Sequence, residues 1–384
     1  MNSKKTTGTQ KPVTLKDIAL RCGVGIPTVS RALRDPNRFS QDLTKRIRET
    51  AEELGYDPLR HEGARRLVLS RFGKQTVNHV VALIAPSRFF FRSFFAHMLV
   101  GLEDVFSEKG FSLLMIDSDK LLDKQISPSF SRGEVDAAII LKDYRNSMSI
   151  LRLLREEPCF GDRPVVTPLL NVPGCSTVQV DYFRGSYDSM VHLLDLGHRH
   201  VLLMTDPYDQ MLKQPNDLFY QRLQGYRQAF WDRDMDPEQY LHFLPLKDRL
   251  WECLITSYET VSMQELPAYA KKRGQPLLDA LKASPEITAI LPPNDFGAIF
   301  TEYVLRFAGR RVPEDFSIIG FDGTDPLCDD DGQNRLTTVD LPLDEIGHTV
   351  ARLIIDQIHG TAANNARIIL PVTLSIRQTT APRS

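Results

Sequence analysis

The sequence predicts two fold classes in one chain: an all-α head of three short helices, and an α/β body of two doubly wound lobes. Three observations predict it. Between Thr14 and Leu54, apolar residues recur at i, i+3 and i+4, the period of short amphipathic helices. From His79 onward, short continuous apolar runs alternate with helical stretches, the pattern of buried parallel strands and their crossover helices. The charge is also uneven. Residues 1–79 hold sixteen Lys and Arg against eight Asp and Glu, a charge of +8 within a total of −2, so the rest carries −10. A basic head on an acidic body suits a polyanionic partner at one end only.

Residues 1–12 are polar and read as a disordered arm. Thr14 and Asp17 then form a helix start signal of the Thr-x-x-acid type. Leu15, Ile18, Ala19 and Cys22 make the stripe of the first helix, and Gly23 turns the chain. Pro27 suits the first helical position of the second helix, where a missing N–H costs nothing. Its Val29, Ala32 and Leu33 face inward, while Thr28, Ser30, Arg31 and Arg34 present groups that hydrogen-bond bases or phosphates. Ser40 caps a third helix through Leu43, Ile47, Ala51 and Leu54. By pattern alone this triplet fits a DNA-reading helix-turn-helix and an ordinary amphipathic bundle alike.

In the body, strands are expected at 79–85, 112–117, 135–141 and 163–171, with helices between them. The pattern resumes with helices at Ser189–Leu196, Leu218–Trp231, Leu277–Leu281 and Asp295–Phe307. Strands are expected at His200–Thr205, Thr288–Leu291 and Phe316–Phe321. Residues 245–276 fit poorly and read as an extra helix or a surface insertion. Ligands of open α/β sheets bind at the C-terminal strand ends. Asn294, Asp295 and Asp322 follow such ends, where Asx turn or cap chemistry is the plainer explanation.

Seven stretches, in order, carry a family resemblance. They are VTLKDIALRCGVGIPTVSRAL followed by LGY, LLDLGHRHVLLM (193–204), RLQGYRQAF (222–230), NDFGAI (294–299), VPEDFSIIGFDG (312–323), LTTVDLPLDEIG (336–347) and LPVTLSIRQTT (370–380). Together they resemble the lactose/galactose repressor (LacI–GalR) family. The resemblance implies a helix-turn-helix DNA-binding domain at 13–60 and a hinge at 61–78. It further implies a periplasmic-binding-protein-like effector-binding and dimerisation domain at 79–384. Its two lobes would join through three crossovers, two of them at Val178–Tyr182 and Leu336–Leu341. The implied function is a repressor on a double-stranded operator, controlled by a sugar or sugar derivative between the lobes.

On that resemblance the DNA contacts fall on Thr14, Ile26, Pro27, Thr28, Ser30, Arg31, Arg34 and Arg38. Leu67 would be the minor-groove wedge of the hinge. The effector contacts fall on Phe89, Arg222, Asn294 and Asp322. Two departures stand out. Ile26 and Pro27 are apolar where family members choose bases, so they can touch only a thymine methyl. The Ala-Arg-x-Leu element of the hinge (Ala64–Leu67) comes about two residues late, behind Gly63. With no leucine heptads after Thr380, a homodimer is expected rather than a tetramer.

The remaining chemistry is negative. The five cysteines include no CxxC, and the nine histidines show no metal-type spacing. There is no GxxxxGK[ST], HExxH or GxSxG. Asp329–Asp331 read as a solvated loop. No enzyme activity, cofactor or metal is expected. No apolar run approaches a membrane span and no signal-peptide core follows the N-terminus, so a cytoplasmic location is expected. The rival readings are a solute-binding protein without a DNA role, against which the basic head argues, and an enzyme on this fold, which lacks an acid–base pair.

Overall fold

A computed structural model describes residues 13–34, 39–54, 56, 77–86, 93–123, 127–141, 144–205, 218–246 and 261–383. The expectations for the N-terminal arm, the Arg34 side chain, Arg38, Leu67 in the hinge, and Phe89 lie outside these residues. The chain divides into two compact units, 1–77 and 78–384.

The first unit holds α1 (Leu15–Cys22), α2 (Ile26–Arg34) and α3 (Gln41–Glu53). The Asp17 carboxylate accepts from both the backbone N–H and the hydroxyl of Thr14, which fixes the start of α1. Gly23 ends it at φ 64°, a left-handed turn open to glycine. Helix α2 starts at Ile26, one residue earlier than expected, because Thr28 and Val29 already donate to the Gly25 carbonyl. Pro27 is therefore the second helical residue, still within the turn that needs no N–H. Ser40 caps α3 by accepting from Leu43 N–H at 3.4 Å. Ile18, Ala19, Cys22, Val29, Ala32, Ile47 and Ala51 form one small core. Arg46 closes it by donating to the Cys22 carbonyl at 3.2 Å.

The second unit opens with β1 (Val80–Ala85), α4 (Ser93–Glu108), β2 (Ser112–Asp117), α5 (Ser118–Leu122), α6 (Pro128–Ser131), β3 (Ala137–Ile140), α7 (Tyr144–Glu156), β4 (Val165–Pro168) and β5 (Ser176–Val180). There follow α8 (Tyr182–Asp195), β6 (Val201–Thr205), α9 (Leu218–Trp231), α10 (Pro237–Tyr240), β7 (Leu241–Pro245), α11 (Leu266–Arg273), α12 (Gln275–Ala283), β8 (Ala289–Leu291) and α13 (Asp295–Phe307). The chain continues through β9 (Ser317–Ile318), β10 (Gly320–Asp322), β11 (Thr338–Asp340), α14 (Leu343–Ile358), β12 (Arg367–Leu370) and β13 (Thr373–Ser375).

Lobe 1 is a six-stranded parallel sheet in the order β12-β5-β4-β3-β1-β2. Strands β1 and β3 are buried almost throughout, as expected of central strands covered on both faces. Lobe 2 is a parallel sheet in the order β7-β6-β8-β9. A third sheet, β10-β11-β13, follows it. The chain passes between lobes three times: from β5 to α8, from β11 to α14, and from β12 to β13.

Two expectations are corrected and a third is narrowed. Helix α8 begins at Tyr182, not at Ser189. Its first turns are rich in small and polar residues that are nevertheless buried, Gly185 and Ser186 among them. The strand expected over Phe316–Phe321 is broken at Ile319 into β9 and β10, which join different sheets. Of the two readings of 245–276, the described part fits the extra helix and not the surface insertion: Leu266 and Ala270 of α11 belong to the lobe 2 core. Each lobe also has one tight helix crossing. A Cβ on Gly101 of α4 would overlap the Asp344 carbonyl of α14, and one on Gly225 of α9 would overlap the Phe183 carbonyl of α8. Among the described residues, no helix is long and apolar enough to cross a membrane.

Candidate functional site

In the head, burial of Val29 and Ala32 turns the opposite face of α2 outward. Ile26 is 45% exposed, a large apolar side chain held at the helix start with no core to fill. Pro27 and Arg31 are exposed beside it, and Thr28 and Ser30 are half-buried. Thr14 is half-buried and engaged by Asp17, so its first role is to cap α1.

In lobe 2 the C-terminal strand ends converge on one arginine. Arg222 lies on α9 and is only 6% exposed. Its guanidinium donates to the Pro293 carbonyl at 2.6 Å and to the Tyr226 hydroxyl at 3.1 Å. It also lies 3.9 Å from the ring centroid of Phe321, a cation–π contact. The consecutive prolines 292 and 293 offer carbonyls but no N–H, so the turn after β8 presents acceptors to the arginine. Leu203, Met204, Thr205, Phe219, Arg222, Tyr226 and Pro293 line a small recess.

Asp322 ends β10 next to Phe321. Its φ is 105°, a left-handed conformation that costs a side chain of this kind roughly 1–3 kcal/mol. Part of its surface is accessible, yet its carboxyl is pushed well above the usual carboxylate range. Burial is the main cause, the nearby Asp295 adds to it, and Arg222 pulls the other way. Asp295 itself is buried at the start of α13. It accepts from Thr324 N–H at 2.8 Å and from the Thr338 hydroxyl. Its carboxyl is pushed up to about 7, by burial against the opposing hydrogen bonds. Asn294 turns out to cap α13, its Oδ1 accepting from Gly297 N–H at 2.8 Å.

The structure thus gathers Arg222 and Asp322 around Phe321, with Asn294 one residue beyond the proline carbonyls. Asp295 had been singled out only as a residue after a strand. Its partners, Thr324 and Thr338, are too distant in sequence to reveal the burial. Gly320 was a further signal, since a Cβ there would overlap the Asp295 carboxylate.

Lobe 1 offers a different surface. Leu83, Ala85, Phe95, Met98, Leu99, Leu102 and Leu141 line a small apolar recess. Phe94 and Phe95 meet edge to face at 5.0 Å. The four described cysteines, Cys22, Cys159, Cys175 and Cys328, are free thiols.

Comparison with known proteins adds two family matches. Residues 14–58 match the model of bacterial regulatory proteins of the lacI family, and residues 190–380 match a periplasmic binding protein-like domain. The HTH-type transcriptional regulator CelR of Thermobifida fusca is 27% identical over 95% of this chain and 97% of its own. The HTH-type transcriptional repressor CytR of Escherichia coli K12 is also 27% identical, over 99% of each chain. The crystal structure of a LacI family regulator from Enterococcus faecium, with bound ribose, superposes with a TM-score of 0.60 at 26% identity. It covers 79% of this chain and all of that one.

Proposed function

The chain belongs to the LacI family of bacterial regulatory proteins and is a DNA-binding transcriptional regulator, not an enzyme; from that premise we infer a repressor whose grip on its operator is set by a sugar-like effector. The observation that carries the effector reading is the corner formed by Arg222, Asp322 and Phe321. A guanidinium fork and a carboxyl can divide adjacent hydroxyls between them, and an aromatic ring suits the apolar face of a sugar. That the Enterococcus relative holds ribose supports the same ligand class. In the resting corner Arg222 is held by backbone carbonyls rather than left bare, so an effector competes for donors already aimed inward.

Residues 13–60 are assigned to operator binding, 61–78 to the hinge, and 79–384 to the effector and the dimer contact. Arg31 and Thr28, with Ser30, Arg34, Arg38 and Thr14, supply phosphate and base contacts, while Ile26 and Pro27 select for thymine methyls. Leu67 is assigned as the hinge wedge and Phe89 as an aromatic wall of the effector site. The protein acts as a cytoplasmic homodimer on a pseudo-palindrome with half-sites about one helical turn apart.

The test is a gel shift of the full chain with a randomised duplex pool, repeated with pentoses, hexoses and disaccharides. Salt-dependent retention, changed by at least one sugar, is expected. A chain that retains no duplex at modest salt overturns the DNA assignment. Retention that no sugar alters overturns the effector class alone. In the recovered pool, Ile26→Ala should relax the choice of one base pair; an unchanged preference removes Ile26 from the reading set.

A further inference from the structure

The other end of the lobe 2 sheet, away from Arg222, carries a second cluster. His200 directly precedes β6, His242 is the second residue of β7, and Glu286 lies shortly before β8. His200 Nδ1 is 3.1 Å from His242 Nε2, and His242 Nε2 is 3.7 Å from Glu286 Oε1. One ligand atom from each residue lies within 4.8 Å of the others. All three side chains are half-buried. The strands hold them in place: His242 pairs in register with Leu202 of β6, and the His200 carbonyl accepts from Thr288 N–H at 3.1 Å. The His200 ring is braced edge-on by Tyr240, with centroids 5.3 Å apart.

Two ring nitrogens at that separation must share a proton, because two bare lone pairs repel. A cation that took the proton's place would meet both lone pairs. Zinc binds histidine nitrogen at roughly 2.0–2.1 Å in a tetrahedral shell, which sets two such nitrogens about 3.3 Å apart. The rings therefore need to open by only a few tenths of an ångström. Glu286 has further to travel, since the cluster spans up to 4.8 Å, but with a side chain 41% exposed it is free to swing in by the roughly 1.5 Å that the same spacing needs. Two imidazoles and one carboxylate are a borderline donor set. Calcium and magnesium prefer oxygens throughout, and soft ions prefer thiolate, which is absent from the cluster.

We propose that His200, His242 and Glu286 form a binding site for a zinc-class divalent metal ion that cross-links β6, β7 and the approach to β8. Water would complete the coordination shell. The ion would brace β7, an edge strand whose ladder partner is β6. The corresponding end of lobe 1 is built otherwise. Its acid, Asp136, is already matched by Arg163 at 3.5 Å and by Asn78 N–H at 2.7 Å.

The test is a calorimetric titration of chelator-stripped full-length protein with Zn²⁺ alone. One ion per chain is expected, at micromolar affinity or tighter. His242→Gln and Glu286→Gln should each weaken binding at least tenfold, with melting curves confirming that both variants fold. Glu286→Gln, at a half-exposed position, keeps the test decisive should His242→Gln not fold. Co²⁺ in place of Zn²⁺ should give visible bands of a nitrogen/oxygen site with no thiolate charge-transfer band. No uptake by the wild type, unchanged affinity in folded variants, or a thiolate band from one of the free cysteines overturns the assignment.

Discussion

The two lobes share a parallel-sheet plan and a glycine-tight helix crossing, yet the recesses at their C-terminal strand ends differ in chemistry. Among the described residues, the lobe 1 recess is lined by apolar side chains alone, Leu83, Ala85, Phe95 and Leu141 among them. Lobe 2 ends in Arg222 with the carboxyls of Asp295 and Asp322 nearby. Burying an unpaired polar group costs several kcal/mol, so a lobe that carries recognition chemistry must satisfy it at rest. Lobe 2 does so with the proline carbonyls, the face of Phe321, and the hydrogen bonds that Thr324 and Thr338 give to Asp295. On the proposed effector reading the difference amounts to a division of labour: lobe 2 would select the ligand by hydrogen bonds, and lobe 1 would supply an apolar surface that keeps water from it.

The largest expected effect tests what the lobes share. Gly225→Ala should destabilise the body by at least about 3 kcal/mol, since the new methyl meets backbone and not a yielding side chain. Gly101→Ala should cost about the same. Urea midpoints of both variants check this, and a clear inequality would mean that the scaffolds are not equivalent.

Next comes the asymmetry itself. Arg222→Ala should weaken sugar binding about a hundredfold, roughly 2.7 kcal/mol, measured by calorimetry on whichever sugar shifts the operator complex. Leu83→Ala should lower stability by about 2–4 kcal/mol and affinity by less than tenfold. Equal affinity losses would break the division of labour.

The smallest step, taken per pH unit, is electrostatic. The native Asp295 carboxyl holds its proton to about pH 7, whereas the unfolded one releases it near the ordinary aspartate value of 3.8. Between those values the unfolded state binds fewer protons, so stability falls as pH rises, by up to about 1.4 kcal/mol per pH unit, and levels off above pH 7. Asp295→Asn keeps an acceptor for Thr324 N–H and a donor toward Thr338. It should flatten the profile between pH 4 and 7, apart from the slope that Asp322 contributes in the same direction. Denaturation midpoints across that range check it.

Much of this was legible in the sequence, for identifiable reasons. Helices α9 and α13 and strand β2 have the bounds expected, because each combines a clear period with a turn or cap at its edge. Strand β7 went unseen, since His242 and Pro245 interrupt its apolar run. The start of α8 was hidden because its buried face is small and polar, packed by close approach and not by bulk. At the effector corner, Arg222, Asn294 and Asp322 were named through the family resemblance. The cap made by Asn294 and the burial of Asp295 depend on contacts from distant strands, which spacing cannot report. The same reason hid the two histidines and the glutamate: metal-type spacing is a local signal, and this cluster is assembled by sheet order.

The missing side chain at Gly320 has a consequence for how this protein can vary. The space beside that backbone is filled by an oxygen of Asp295, which Thr338 also engages. The two positions are therefore coupled. An alanine at 320 becomes admissible only after the acid at 295 has shrunk or gone, and with it the buried carboxyl next to Asp322. Substitution at 295 must come first, and a side chain at 320 second.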